Sequence, residues 1–414
     1  ANEYKEIIWL LNLMNLNDNR YTIEESDIFD NKGQFTEDGK ELLIQKSTGY
    51  VSFIKGEDPY MFPFRVYPEH DKVSDKDNKF ATYKENSLNL LKNAGQTYPK
   101  YQLNGVEIEN GIQHLDIFLT TIGSKQKEIY DKHINDLIKD NIVKDGQEKF
   151  SYGMLSAPSQ LLNISYPSED RDVKYHYGEK GLMEIMNFNK SSMREFEYKE
   201  KHEGFFGVEN LKDYSGKITK IIKEIERSKG IILVYSQYIA GGCIPMALAL
   251  EEAGYKKHGG SIFKKPPAKK DDKSRGSYIM ITGQTGSKEL VKTLNICNNK
   301  KNKDGDQIKV VIISRAGSEG LDFANIRQVH ILDAWYNLNR TGQIEGRAIR
   351  NQSHCDLEIE KRNVLVFLHG TRDNEFKNEY IDLYMYRIAE EKAILSGKVA
   401  RILKLRTLRL TMES

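Results

Sequence analysis

Two short stretches place phosphate-compatible side chains just beyond hydrophobic runs. The first is "SRAGSEGLDF", Ser314 to Phe323, which follows the apolar run "KVVII". Gly317 and Gly320 let a loop turn tightly and bring backbone amides close to a ligand. Ser314, Arg315 and Ser318 supply donors for phosphate oxygens, and Asp322 can accept from a ribose hydroxyl or an arginine. The second is "QIEGRAIR", residues 343–350. Arg347 and Arg350 lie three apart, so a helix puts them on one face, and Gln343 stands four before Arg347. Arginine is always charged and presents a planar fork of donors suited to phosphate. Two such forks aimed at the charge developing on a γ-phosphate would act as arginine fingers. Each stretch alone has a plainer reading: a capped turn for the first, and for the second a solvated helix face with Glu345 as counter-ion. Both in order, each after a strand of one sheet, favour a site.

The elements that must hold these residues are readable in the second half of the chain. "GIILVYS" (230–236), "SYIMITG" (277–283), "KVVIIS" (309–314), "QVHILD" (328–333) and "NVLVFLHG" (363–370) are short, rich in Val, Ile or aromatic residues, and bounded by turn residues. Helix candidates alternate with them at 243–254, 287–297, 339–351 and about 376–395. Continuous apolar strands alternating with helices predict an α/β fold with a parallel sheet covered on both faces. Ligands of such sheets sit beyond the carboxyl ends of the strands. The first half is less regular. Helices are predicted at 3–15, 124–142 and 179–188, an extended segment at 48–68, and a basic, partly looped stretch at 72–105. The segment "KKPPAKKDDKSRG" (264–276) reads as an exposed loop.

Composition narrows the classes. With 414 residues the chain has room for two or three domains, and 39% hydrophobic with 29% charged residues indicates a globular protein. No run of about 18 apolar residues predicts a membrane span. Cys243, Cys297 and Cys355 form no CxxC pair, so neither a disulfide framework nor a zinc knuckle is expected. The net charge of +2 means that any nucleic-acid surface must be a local patch. A P-loop is not found: "ITGQTGSKE" (281–289) follows a strand but lacks the GK[ST] ending, and "SGKIT" (215–219) and "DGKEL" (38–42) fail the spacing. No DExx tetrad stands at a strand end.

"SRAGSEGLDF" resembles motif V, and "QIEGRAIRN" motif VI, of superfamily 2 helicases and translocases. The flanks, "GIILVYSQYIAGGCIPMALALEEAGY" (230–255), "YIMITG" (278–283) and "VHILDAWYNLNRTGQIEGRAIRNQSH" (329–354), resemble the branch found in large DNA viruses. That branch includes the poxvirus nucleoside triphosphate phosphohydrolase I, the early transcription factor small subunit, and asfarvirus and giant-virus relatives. The resemblance is strong over 228–396 and patchier over 1–70 and 145–210. It implies a second RecA-like domain at 206–400, preceded by the end of a first RecA-like domain and linker at 1–70. A mixed α+β linker or insertion region is expected at 71–205, and a tail at 401–414. The resemblance also implies an interdomain ATP site, whose P-loop and magnesium-holding acid belong to a first RecA-like domain. The chain is then expected to carry the carboxyl-terminal half of a helicase or nucleoside triphosphatase, inert by itself.

Carried over residue by residue, the resemblance makes Gly320 and Asp322 nucleotide-facing. Gln343 would lie near the γ-phosphate or attacking water, and Arg347 and Arg350 would contact phosphates. Ser236, Gln237, Thr282, Gly283, Ser314, Arg315 and Ser318 would hold a nucleic-acid backbone. ATP and Mg2+ are the expected cofactors, with the metal held mainly by the first domain. Expected partners are DNA, with RNA or a hybrid left open, the first RecA-like domain, and viral RNA polymerase or transcription machinery, with no membrane. The expected location is the virion core and host cytoplasm. The alternative is a non-catalytic nucleic-acid-binding or transcription-factor-docking module on the same fold. Plainer roles are expected elsewhere. Trp335 and Tyr336 should pack the start of the motif VI helix, His330 should be a core histidine, and His354 and Cys355 lack a second pair for a metal.

Overall fold

The computed structural model describes residues 5–30, 33–51, 61–66, 98–140, 153–190, 193–268, 275–315 and 320–413. Its helices are α1 (Glu6–Asn17), α2 (Glu25–Ile28), α3 (Glu37–Ser47), α4 (Ser124–Asp140), α5 (Ser156–Asn163), α6 (Gly178–Ile185), α7 (Val208–Leu211), α8 (Gly216–Arg227), α9 (Ile244–Glu252), α10 (Ser287–Cys297), α11 (Leu338–Ala348) and α12 (Ile381–Glu413). Its strands are β1 (Phe64–Val66), β2 (Ile117–Thr121), β3 (Met186–Asn189), β4 (Arg194–Tyr198), β5 (Ile231–Tyr235), β6 (Lys256–Lys257), β7 (Ser277–Ile281), β8 (Ile308–Ile313), β9 (Ile326–Ile331) and β10 (Asn363–Arg372). Residues 52–60 and 67–68 of the extended segment expected at 48–68, 72–97 of the stretch expected at 72–105, 141–142 of the helix expected at 124–142, and 269–274 of the basic loop lie outside the described residues.

The chain divides into two compact units. One comprises 1–58, 336–339 and 387–414; the other comprises 59–335 and 340–386. These units cut across the expected divisions at 70, 205 and 400. The smaller has its own core, in which Ile8, Leu11, Ile23, Ile28, Phe29, Leu43 and Val399 are buried together. The larger is built on a parallel sheet in the order β1-β10-β9-β5-β8-β7-β6, with β2 also on β10. Phe64–Val66 pair with Asn363–Leu365, and Ile117–Thr121 pair with Leu368–Arg372. Because β9 takes the other side of β10 at 365–368, β1 and β2 share one edge end to end. The sheet therefore draws two strands from before residue 206, one of them, β2, from the region expected as linker or insertion. All five strands read from the sequence are present and parallel.

Strand alternation divides the core. Ile231, Leu233 and Tyr235 of β5 face one layer together with Val311, Ile313, Val329 and Ile331. Ile232 and Val234 face the other with Val310 and Ile312. This period of two is the pattern of a pleated strand buried on both faces. Helix α8 covers the second layer with Ile218, Ile221, Ile222 and Ile225, spaced i, i+3, i+4, i+7 and fully buried. Each such side chain stabilises by about 1.5–3 kcal/mol relative to exposure. The helix starts where the Ser215 hydroxyl accepts from the Ile218 amide. Helices α10 and α11 cover the first layer, the latter through Ile344 and Ala348. The carboxyl ends of β5, β7, β8 and β9 thus all point the same way, and the conspicuous residues of the sequence follow them.

Candidate functional site

After β8, Ser314 is buried and Arg315 lies in a turn. The Ser314 amide donates to the Ile281 carbonyl at 3.0 Å, and Arg315 is exposed. Gly317 and Ser318 lie outside the described residues. Gly320 has φ +71, a left-handed conformation that favours glycine, although a Cβ there would meet nothing. Leu321 and Phe323 are buried and pin the segment to the core, so Asp322 between them projects outward.

Arg347, in the last turn of α11, and Arg350, two residues beyond the helix rather than on its face as expected, meet that carboxylate. Arg350 forms an ion pair with Asp322. Arg347 Nη1 stands 3.9 Å from Asp322 Oδ1 and donates to the Leu321 carbonyl at 3.1 Å. Arg347 Nε is buried and has no acceptor among the described residues. Gln343 is exposed on the same helix. The backbone is tied as well: the Phe323 amide donates to the Arg347 carbonyl and the Asn325 amide to the Ser353 carbonyl. Asp322, Arg347 and Arg350 are therefore one constellation, joining loop 320–325 to the end of α11.

Glu345 is not the counter-ion of these arginines, as one reading of the helix expected. It lies on the buried face of α11 and pairs with Arg65 of β1, Nη2 to Oε1 at 2.8 Å. Burial raises its carboxyl above the ordinary range while Arg65 pulls it down. Asp116, just before β2, is buried too, and burial pushes it to about 6 against the same guanidinium.

The residues expected to hold a nucleic-acid backbone fall into two groups. Gly283 and Arg315 are exposed, and Thr282 is half-buried in a turn closed by the Thr285 hydroxyl accepting from the Thr282 amide. Ser236 and Ser314 are instead buried. The Ser236 hydroxyl donates to Asp333 Oδ2 at 2.8 Å, and the Gln237 amide donates to the same oxygen at 2.5 Å. Asn163 bonds the other Asp333 oxygen. Burial raises the Asp333 carboxyl, while Asn163, Ser236, the Gln237 amide and Lys217 oppose the rise. Ser236 is thus a core donor to an acid that the motif reading missed. An acid at the end of the strand "QVHILD" was its only sequence signal.

Other residues take the plainer roles expected. His330 is buried, stacks on Phe367 at 4.2 Å, and meets the equally buried His369 at 3.0 Å. Trp335 packs under the Arg340 guanidinium, 3.8 Å from its ring centroid, at the start of α11. His354 Nε2 contacts the Ile326 carbonyl at 2.7 Å. Among the described residues, no group of three or more His, Cys, Asp or Glu could hold a metal. The donors at Arg347 and Arg350 fit a phosphate chain. Asp322, already paired with Arg350, does not make a metal site.

Residues 216–352 match the helicase conserved C-terminal domain family. The match lies on the parallel α/β sheet of the larger unit. The relatives narrow the class. The chain is 32% identical over 203 residues to a protein named as a helicase from Invertebrate iridescent virus 3, covering 47% of this chain and 20% of the relative. It is 26% identical over 296 residues to one named as an ATP-dependent RNA helicase from Acanthamoeba polyphaga mimivirus, covering 70% and 46%. It is 32% identical over 181 residues to the termination factor NPH-I homolog of African swine fever virus, covering 37% and 26%. Over these stretches the chain is similar to proteins of large DNA viruses that are named as helicases or a termination factor. It spans less than half the length of these relatives.

Proposed function

We propose that the chain supplies one wall of a composite ATP site and a backbone-tracking nucleic-acid surface to a helicase or translocase motor. The observation that carries this reading is the constellation of Asp322, Arg347 and Arg350 beyond the strand ends of a helicase C-terminal domain. Arginine forks at that place neutralise charge on a transferring phosphoryl group, and Gln343 on the same helix orients the attacking water. Asp322 holds the guanidinium of Arg350 until phosphate competes for it. Magnesium would supply further neutralisation of phosphate charge, and the residues that would hold it lie outside this set. The other wall, with its P-loop, comes from a first RecA-like domain.

Exposed Arg315 and Gly283, with the turn at Thr282, form the surface that touches a nucleic-acid backbone. Contacts to phosphate carry little sequence information and weaken with salt. We take DNA as the substrate. Relatives named as RNA helicases leave RNA as an outcome of the test, and the African swine fever virus relative, named as a termination factor, supports a role with viral transcription machinery. The test is nucleic-acid-stimulated ATP hydrolysis by the longest natural form of the protein, beside Arg350→Ala and beside the 414-residue chain alone. Stimulated turnover that collapses in the variant, with the chain alone inert, supports the composite site. An unaffected variant leaves only a non-catalytic binding module.

A further inference from the structure

The loop that carries Asp322 is gripped from a second side, by a residue in neither motif. The Asn298 carboxamide donates through Nδ2 to the Asp322 carbonyl at 2.9 Å, and its Oδ1 accepts from the Ala324 amide at 2.9 Å. One side chain thus satisfies the backbone on both sides of Phe323. It uses its donor and its acceptor together, which only a carboxamide of this length does here. Asn298 itself is fixed. It caps α10, where its amide donates to the Leu294 carbonyl at 2.9 Å. A few residues on, buried Asn302 ties the Cys297 carbonyl to the first residue of β8, bonding both the amide and the carbonyl of Ile308. The grip therefore hangs from a packed helix end, and segment 321–325 is held alternately by Asn298 and by the end of α11.

We infer that Asn298 is a positioning residue: it fixes the loop that presents Asp322, and through Asp322 it aims Arg350 and Arg347. This rests on the proposed role of those arginines. Without the carboxamide the loop loses two hydrogen bonds, and Asp322 presents its carboxylate over a wider range of positions. The arginines then meet the phosphates in the reactive arrangement less often.

The experiment is ATP hydrolysis by the longest natural form of the protein, saturated with nucleic acid. It compares Asn298→Ala, Asn298→Asp, Asp322→Asn and the pair Asn298→Ala with Asp322→Asn, with melting temperatures alongside. Asn298→Ala is expected to lower kcat roughly ten- to thirtyfold, the worth of two neutral hydrogen bonds, with a smaller change in KM. Asn298→Asp is nearly isosteric, retains the acceptor, and turns an oxygen toward the Asp322 carbonyl. It should fold and be no better than alanine. The double variant should be no slower than Asp322→Asn alone, because both changes act through one group. Losses that multiply, or a normal kcat in both Asn298 variants beside an impaired Asp322→Asn, overturn the inference. If Asp322→Asn and Arg350→Ala are themselves unimpaired, the ATP-site reading fails first and this inference falls with it.

Discussion

Replacing Arg65 with alanine should destabilise the larger unit more than removing the charge it faces. Arg65 pairs at 2.8 Å with Glu345, whose side chain is only 8% exposed while that of Arg65 is 37% exposed. It also pulls down the carboxyl of buried Asp116. Among the described residues no other ion pair reaches Glu345. Arg65→Ala therefore strands two buried carboxylates, whereas Glu345→Gln removes one charge and leaves a polar side chain of the same shape. Breaking a fully buried pair costs about 3–5 kcal/mol. Because Arg65 is more than a third exposed, water screens part of this, and about 1–3 kcal/mol is expected. Glu345→Gln should cost less than about 1 kcal/mol.

The pH dependence follows from the same geometry. Both carboxyls are already raised by burial, and losing Arg65 raises them further. A folded-state pKa above the unfolded value means that the native state binds protons more readily as pH falls. The Arg65→Ala deficit is thus full above the raised pKa values and shrinks as pH falls through them. Urea unfolding at pH 7.5 and pH 5 measures it. Equal costs for the two variants, or a deficit that does not change with pH, refute the reasoning.

Ser236→Ala should cost about 1–3 kcal/mol of stability, because buried Asp333 loses a donor, and leave nucleic-acid affinity unchanged; urea unfolding beside a binding titration separates the two. Arg315→Ala should weaken nucleic-acid binding and flatten the slope of log affinity against log salt by about 0.7–0.9, read from titrations at several salt concentrations. The wild type should lose stability in acid. Burial pushes His354 down to about 4 and His330 to about 3, and His369 well below its ordinary value, so below about pH 6.5 the unfolded chain takes up protons that the native state refuses. Each histidine contributes up to about 1.4 kcal/mol per pH unit, while Asp116, raised to about 6, offsets about one of them over part of the range. Melting temperatures from pH 7.5 to 4.5 would show the fall.

The central strands were legible because each is a run of β-branched residues buried on both faces, as in Ile308–Ile313. β2 was not. Five residues in "HLDIFLTTIG" carry no pattern that assigns them to the edge of β10, a partner some 250 residues away in sequence. The pairing of loop and helix was visible in outline, since an exposed acid after a glycine turn and two arginines on one helix face are complementary. Ser236 and Ser314 are buried for a reason the sequence itself contains. They continue the even-numbered side of β5 and β8, the side of Ile232, Val234, Val310 and Ile312, which faces the α8–α9 layer. Parity along the strand therefore turns both hydroxyls inward, away from any solvent-side ligand. Glu345 shares the buried face of α11 with Ile344 and Ala348, and its partner Arg65 lies 280 residues away in sequence. Asn298 carried no motif signal at all, because its role depends on where the end of α10 meets the loop.

The most direct test is the single-turnover rate of ATP hydrolysis in the longest natural form of the protein, wild type against Arg350→Ala, with enzyme in saturating excess over ATP and nucleic acid saturating. Single turnover isolates the chemical step from product release. A loss of about 10³–10⁵-fold, with nucleotide binding retained, is what an arginine aimed at the transferring phosphate predicts. An unchanged chemical rate would contradict it and leave Arg350 as the partner of Asp322 alone.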